Sequence, residues 1–490
     1  MAASEAGVAT NTGPKRGARQ QLSQAPHVER LNPDERVARG KAERAEVPRP
    51  SHAEWEAGPG RRAPIELLEE QARSRVPELV PIRYGRMLVS PLTFFRGAAC
   101  LMAADLASGP RTGLQAQLCG DAHLSNFGIF AAPDRRLVFS INDFDETLPG
   151  PFEWDLKRLV ASFAVAGRDR GFDARQRRAV NVAAARSYRQ AMDSFAGMRT
   201  LDLWYTRLDV DDIARRFAPD ATSTAVRRFH RDMARARAKD SLKAFAKLTE
   251  VVDGQVRITS DPPIVVPVEQ VAEGEAGQQV SDHLQELMRS YRRTLEGDRR
   301  HLLERFRYVH AARKVVGVGS VGTRAWIVLL VGRDHADPLF LQAKEAEASV
   351  LEPYLGKSLL GNHGQRVVEG QRMVQAASDI MLGWLRAQGY DGVERDFYIR
   401  QLWDAKGSAA VETMTPRNLR LYAEICGWTL AKAHARSGDA IAIASYLGAS
   451  DAFDRAMVSF AETYADQNER DYEALKDAVS SGRVKAEAGL

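Results

Sequence analysis

Strand-forming residues in this chain gather into two main clusters set between long helical stretches, and that distribution limits it to an α+β architecture. The first cluster lies between residues 114 and 143, where LQAQLC, FGIFA and RLVFSIN are separated by GDAHLSN and the turn APDRR. The second, over residues 312–346, holds ARKVVGVGSVGTRAWIVLLVG, the turn RDHADP and LFLQAKEA. Residues 64–106 read as helices, one opening with Ser90 and Pro91, a pair suited to a helix N-terminus. Residues 153–250 carry Ala/Arg-rich helical patterns, followed by a small strand-and-loop element, DGQVRITSDPPIVVPV, and by a helix expected over about 281–308. Beyond residue 346 the pattern is helical, including GQRVVEGQRMVQAASDIMLGW, apart from one strand at the start of DFYIRQLWDAKG. Residues 1–60 lack aliphatic periodicity and predict a disordered basic tail.

Composition narrows the class further. With 44% hydrophobic and 27% charged residues in 490, the chain has material for a large core. A formal charge of +5 is small for this length and argues little for a nucleic-acid partner, so the basic stretch 227–247 reads as a solvated helix face. Three scattered cysteines, Cys100, Cys119 and Cys426, suit neither a disulfide framework nor a zinc ribbon and point to a reducing compartment. The longest apolar runs are too short to cross a membrane, and the first twenty residues hold no apolar segment of a secretion signal. The expectation is a cytoplasmic protein.

The strongest chemical signal is an acidic constellation. Asp121 and Asn126 stand five apart in a loop after an apolar strand, and Asp143 closes the second strand of a hairpin beside Asp145. Phosphoryl transfer needs such an inventory: a carboxylate near the acceptor hydroxyl, and oxygen ligands that hold Mg²⁺ against nucleotide phosphates. An Asx turn and an exposed acidic turn are the structural readings of the same residues.

GDAHLSN resembles the catalytic loop of the aminoglycoside phosphotransferase and choline kinase group, and SINDFDE resembles its metal-binding segment. The resemblance implies that Asp121 is the base and that Asn126 and Asp143 are metal ligands, with Asp145 beside them. His123 joins the catalytic loop as an orienting or packing group rather than a proton carrier. WDLKRL, with Asp155, is similar to the helix start whose aspartate supports that loop's backbone. Taken together, GDAHLSNFG, NDFDE, WDLKRL and VGVGSVGTR resemble an uncharacterised bacterial family of kinase-like proteins over most of residues 75–480.

A second constellation supplies the nucleotide side. Gly317, Gly319 and Gly322 form GVGSVG, with Ser320 among them, and the β-branched run after Gly322 places this loop between two strands rather than before a helix. That is the setting of a glycine-rich loop over ATP phosphates. Lys344 follows on the next strand, where a lysine reaches the α- and β-phosphates. An ammonium on an apolar strand needs an anionic partner, for which Glu369 is favoured over Glu345 and Glu352. Arg324 reads equally as a phosphate contact or a surface residue.

In kinases the glycine loop and lysine precede the catalytic loop, whereas here they follow it by about two hundred residues. The expected fold is therefore a circularly permuted, protein-kinase-like two-lobe α+β fold with large helical insertions. Its expected parts are a catalytic-loop part over 61–165, a mainly helical segment over 166–308, a small β-rich nucleotide-binding lobe over 309–410 and closing helices over 411–490. His434 and Asp439 read as packing or capping residues. Arg96 reads as a structural ion pair in preference to a ligand contact, and residues 464–472 as possible lining of the acceptor side. The functional expectation is an ATP- and Mg²⁺-dependent phosphotransferase acting on a small-molecule or protein hydroxyl. Nucleotidyl transfer and a regulatory nucleotide-binding pseudokinase are the alternatives. A binuclear metallophosphatase, suggested by GDAH and by GNH at 361–363, lacks the further His and Asp ligands it needs.

Overall fold

The computed structural model describes residues 31–217, 227, 231, 233, 234, 241–271, 286–315, 317–389, 392–402, 405 and 407–489. Residues 228–230, 232 and 235–240 of the basic stretch, and the first thirty residues of the expected tail, lie outside them. Residues 33–46 overturn the rest of that tail. They form a helix, Pro33–Glu46, with a capping box between Asn32 and Glu35. Arg44 donates to the Tyr446 carbonyl at 2.8 Å, so this polar helix is held by docking rather than by an apolar stripe of its own.

The acidic constellation sits on short strands. β1 (Gln115–Leu118), β2 (Phe127–Ala131), β3 (Leu137–Ile141) and β4 (Leu148–Pro151) follow one another, with β2 and β3 forming the expected hairpin. β4 pairs antiparallel with β1 and was not expected, because LPGP has the composition of a turn. In a two-stranded edge pair the prolines leave no central ladder bond unmade. Phe127 stacks on Phe139, which meets Tyr422 edge-on at 6.1 Å, as does Phe163. These rings floor the loop that carries Asp121, and truncating Phe127 to Ala would cost about 3–5 kcal/mol.

The second constellation belongs to the largest sheet among the described residues. After β5 (Leu208–Asp209), which extends β3, and the hairpin of β6 (Thr249–Val252) and β7 (Gln255–Ile258), come β8 (Val265–Pro267), β9 (Arg307–Lys314), β10 (Ala325–Val331), β11 (Pro338–Ala346), β12 (Gly383–Gln388) and β13 (Glu394–Gln401). These last six pair antiparallel in the order β12-β13-β11-β10-β9-β8, and β14 (Gly407–Ser408) adds to β2. Side chains alternate across the sheet. Ala311, Val328, Leu341 and Phe397 enter one core, while Ala312, Ile327, Leu329 and Phe340 enter another.

Two helical expectations shorten. The helix Gly297–Leu303 ends early, because β9 begins at Arg307. The helix expected across 364–384 is confined to His363–Val374, since Gly383–Gln388 is strand β12. Its alternating burial and its pairing with β13 outweigh helical propensity there.

The main core joins both regions to three long helices, Phe152–Asp169, Ala174–Ala196 and Ala452–Ser480. Residues 464–472 lie on the last of these and tie it to the N-terminal helices, instead of lining an acceptor surface. Arg61 bridges Asp105 (2.7 Å) and Asp471 (2.6 Å), Tyr464 donates to Asp105 (2.9 Å), and Asn468 and Tyr472 donate to the Pro91 and Leu88 carbonyls. All three cysteines are free and buried. No helix among the described residues is long and apolar enough to cross a membrane.

Candidate active site

One wall of the site is the helix Phe152–Asp169, on which Asp155, Arg158 and Ser162 recur at i, i+3 and i+7 and so share a face. Asp155 accepts from the backbone N–H of Cys119 (2.8 Å) and of Gly120 (3.0 Å). Arg158 donates to Asp121 Oδ1 at 2.9 Å, and Ser162 Oγ accepts from the Leu124 N–H at 2.9 Å. Three side chains of one helix thus hold the whole 119–124 loop. Behind them a buried chain runs from Asp155 to His434 Nε2 (3.3 Å) and from His434 Nδ1 to Tyr188 (2.8 Å), which makes His434 a packing residue. Asp439 caps the helix Ala440–Leu447. Gly120 has a φ of +83° and passes so close to the Glu146 carbonyl that a Cβ would lie 2.2 Å from it.

Inside the loop, Asn126 Nδ2 donates to the Asp121 carbonyl at 2.8 Å, which leaves Asn126 Oδ1 without a hydrogen bond among the described residues. His123 Nδ1 accepts from the Ser125 N–H at 3.2 Å and caps the turn Leu124–Asn126. Burial, reinforced by the charges of Arg96 and Arg158, holds the His123 pKa well below the usual histidine range. It is a neutral ring 3.6 Å from Asp121, suited to orienting that carboxylate. Burial raises the Asp121 carboxyl above its ordinary range, and Arg158 and Arg96 oppose that rise.

The facing wall comes from the large sheet. Register pairs Lys344 with Tyr398 and Gln342 with Arg400, so strand alternation presents these four polar residues on one face. The Lys344 ammonium is ion-paired with Asp145. Tyr398 donates its hydroxyl hydrogen to Asp145 Oδ1 at 2.8 Å, and the Ser320 hydroxyl lies 3.5 Å from Asp145 Oδ2. Arg400 donates to the Asn142 carbonyl at 3.0 Å. The two neighbouring acids consequently diverge. Burial would raise Asp145, but Lys344 and its hydrogen bonds more than offset it and hold the carboxyl below the usual range. Asp143 is pushed up by burial and by the charge of Asp145. Burial would lower Lys344, yet Asp143 and Asp145 hold it firmly charged.

Residues 317–324, ahead of β10, form the roof. Gly317 (φ +69°) and Gly322 (φ +90°) occupy the left-handed region that a side chain disfavours. The N-terminal helices clamp this loop at both ends. Arg86 donates to the Gly317 carbonyl (2.6 Å), the Val76 N–H to the Gly322 carbonyl (2.8 Å), and Arg75 to the Val321 carbonyl.

Asp121, His123 and Asn126, the pair Asp143 and Asp145, and the roof residues Gly317, Gly319 and Ser320 all line one cavity of about 170 Å³. Gly322 and Lys344 do not line it. Gly322 lies under the roof against Arg75, and Lys344 reaches the cavity through Asp145. Glu369 takes no part. Its half-exposed carboxylate lies 3.6 Å from Arg372, and Lys344 takes its counter-charge from Asp145 instead. The helix His363–Val374 reaches the site through a residue of opposite charge one turn earlier. Arg366 donates to the carbonyls of Asp145 (2.7 Å), Thr147 (2.7 Å) and Glu347 (2.8 Å). Glu345, which lines the cavity, serves Arg324 and Arg395, while Arg324 itself does not line it, and Glu352 lies 3.9 Å from His363. Arg96 lines the cavity, and among the described residues it forms no ion pair within 4.0 Å, which overturns its reading as a structural pair.

Arg158, Arg366, Tyr398, Arg75 and Glu146 were not singled out from sequence. The first had a legible signal in the i, i+3, i+7 pattern of the helix, and Tyr398 in the period-2 polar positions of its strand. Glu146 closes the NDFDE motif, and Arg366 and Arg75 had no such signal. Among the described residues no group of three or more His, Cys, Asp and Glu is arranged to hold a metal ion. Asn126 Oδ1 and the Asp143 carboxylate offer a partial oxygen set, of the kind magnesium takes when phosphates and water complete its shell.

Fold and cleft together define a mixed α+β protein with an internally paired acidic cleft under an antiparallel sheet. A family model described as an uncharacterised protein conserved in bacteria (DUF2252) matches residues 75–478, and the chain belongs to that family. No curated protein and no solved structure matches the chain.

Proposed function

We propose that the protein is an ATP- and Mg²⁺-dependent phosphotransferase with a circularly permuted, protein-kinase-like arrangement, acting on a hydroxyl of a small molecule or protein. The observation that carries this reading is the meeting of Asp121, Asn126 and Asp143 from one part of the chain with the 317–320 loop from another in a single cavity. A volume of about 170 Å³ falls below the roughly 300–1,000 Å³ of a complete small-molecule pocket, which suits the metal and phosphate end of a nucleotide with the base outside it.

In this reading Asp121 takes the proton of the acceptor hydroxyl as its oxygen attacks the γ-phosphorus, the bond to the β–γ bridging oxygen breaks, and ADP leaves. The raised Asp121 carboxyl is a better base than an ordinary aspartate, while Arg158 keeps it ionised and aimed. A magnesium ion on Asn126 and Asp143 would offset phosphate charge. The Tyr398 and Ser320 hydroxyls and Lys344 hold Asp145 beside it, and a shift of the Lys344 ammonium from Asp145 toward the phosphates would accompany nucleotide binding.

Incubation with ATP labelled at either the α- or the γ-phosphate tests the reading. Transfer of the γ label to product or water supports it. Transfer of the α label would identify nucleotidyl transfer, and tight binding without transfer of either label would identify a regulatory pseudokinase.

A further inference from the structure

Arg75 and Arg96 come from the N-terminal helical segment that clamps the roof, and both line the cavity. Arg75 is 7% exposed, and Val321 supplies its only acceptor among the described residues, a neutral carbonyl. Its Nε is buried with no hydrogen-bond partner, and so is the Nε of Arg96. Neither guanidinium lies within 4.0 Å of a carboxylate among the described residues, although nearly every other buried cation of the site does or donates to several carbonyls. Arg158 and Lys344 illustrate the paired pattern, and Arg366 the carbonyl pattern. Arg75 is buried and Arg96 partly buried, and the carboxylates that act on them, Glu347 and Glu146 on the first and Asp121 and Asp143 on the second, do so from beyond ion-pair distance. Withdrawing a guanidinium from water without a paired anion is costly, so two such groups facing one small cavity mark a place where an anion belongs. The charges acting most strongly on Arg96 are Asp121, then Glu412 and Asp143, which puts it on the catalytic-loop side of the cleft, away from the Lys344 and Arg400 side. Gly319 lies directly above: a Cβ there would sit 3.2 Å from the Arg96 carbonyl.

We propose that Arg96 and Arg75 form a phosphate subsite on the Asp121 side of the cavity. The planar guanidinium pairs with two phosphate oxygens at once, a geometry that an ammonium does not reproduce. The phosphate is the terminal group of the nucleotide or an anionic group of the acceptor. The subsite rests on the phosphotransferase reading only for that choice of source.

The test is calorimetric titration of wild type, Arg96→Met and Arg96→Lys with Mg²⁺ and, in turn, ATP, ADP, pyrophosphate, and inorganic phosphate added to the ADP-loaded protein. Methionine keeps the length and packing of the side chain, and lysine keeps the charge without the fork, so a folding failure of the first leaves the second. If the terminal phosphate is the ligand, Arg96→Met weakens ATP about tenfold or more and leaves ADP unchanged. If the acceptor supplies it, ATP and ADP bind as in wild type, and inorganic phosphate no longer binds the ADP-loaded variant. Equal affinities of wild type and both variants for every probe overturn the subsite. Should wild type bind no nucleotide, the function reading falls and pyrophosphate alone decides: binding that Arg96→Met loses supports the subsite, and no binding to wild type overturns it.

Discussion

The ammonium of Lys344 is ion-paired with the carboxylate of Asp145, although 199 residues separate them in the chain. The pair joins the large sheet to the acidic hairpin, and Tyr398, cross-strand neighbour of Lys344, reinforces it from the same face. Lys344 is 3% exposed, so its ammonium depends on the neighbouring Asp143 and Asp145 to stay charged.

Breaking this pair from one side therefore leaves a charge in the cleft without its ion-pair partner. Lys344→Met should cost about 3–5 kcal/mol at neutral pH, and Lys344→Met combined with Asp145→Asn should cost clearly less than the sum of the two single changes. Urea unfolding of the four proteins measures the cycle. The Lys344→Met protein should also gain stability as pH falls, because Asp143 and Asp145 then face each other with Arg400 acting on them only from beyond ion-pair distance, and protonation relieves them. Additive costs would show that the pair is not coupled.

Asp143→Ala should abolish Mg²⁺-dependent ATP binding while the protein stays folded, since among the described residues Asp143 makes only a long 3.4 Å contact with the Asp145 N–H and has no ion pair within 4.0 Å to lose. Calorimetry with and without magnesium, beside a thermal melt, reads both properties. Unchanged affinity would assign Asp143 to structure.

Asp121→Asn should keep ATP·Mg²⁺ binding and lower turnover by about 10²- to 10⁴-fold, the worth of general-base assistance. Arg158 loses its ionic partner in this variant but retains the Phe95 carbonyl at 2.6 Å and the Phe95 ring at 3.8 Å, so the loop should remain in place. Release of γ-label from ATP at saturation is the measurement, and equal rates would remove Asp121 from catalysis.

Glu146 gives a pH signature. Burial, only partly opposed by Arg366, pushes its carboxyl from 4.5 up to about 7. Between those values the unfolded chain has lost this proton and the folded one keeps it, so stability falls as pH rises from about 4.5 to 7. The total is about 3 kcal/mol. Glu146→Gln should flatten that slope, because the amide oxygen can still accept from the Val350 N–H as Glu146 does at 2.7 Å. Denaturation at pH 5 and pH 8 compares the two proteins, and parallel pH dependence would show that Glu146 ionises freely in the fold.

The candidate site was legible wherever its geometry is local. Asp121 and Asn126, five residues apart, are joined by a hydrogen bond from the Asn126 side-chain amide to the Asp121 carbonyl, Asp143 follows from the β2–β3 hairpin, and the glycine loop from β-branched runs on both sides of it. Asp155 supports the loop backbone as WDLKRL implied. Each of these depends on contacts within a few residues or on strand periodicity, which a sequence displays directly.

What only the tertiary structure decided is which distant charges meet. Lys344 has carboxylates nearer in sequence at Glu345, Glu352 and Glu369, and spacing cannot rank them, because partner choice depends on how the sheet docks on the hairpin. The docking puts Asp145 beside the ammonium, turns Glu345 to Arg324 and Arg395, and brings the helix His363–Val374 in through Arg366 rather than Glu369. The same holds for Pro33–Glu46, whose polar sequence has no core of its own and is ordered by the Tyr446 region. It holds again for Arg75 and Arg96, which folding sets against the cleft with no carboxylate within 4.0 Å among the described residues. Sequence alone determined the α+β alternation and the local acidic loop, since periodicity and turn chemistry act over short range. Tertiary packing decided the charge pairing, since the cost of burying an ion is set by the neighbours that the completed fold supplies.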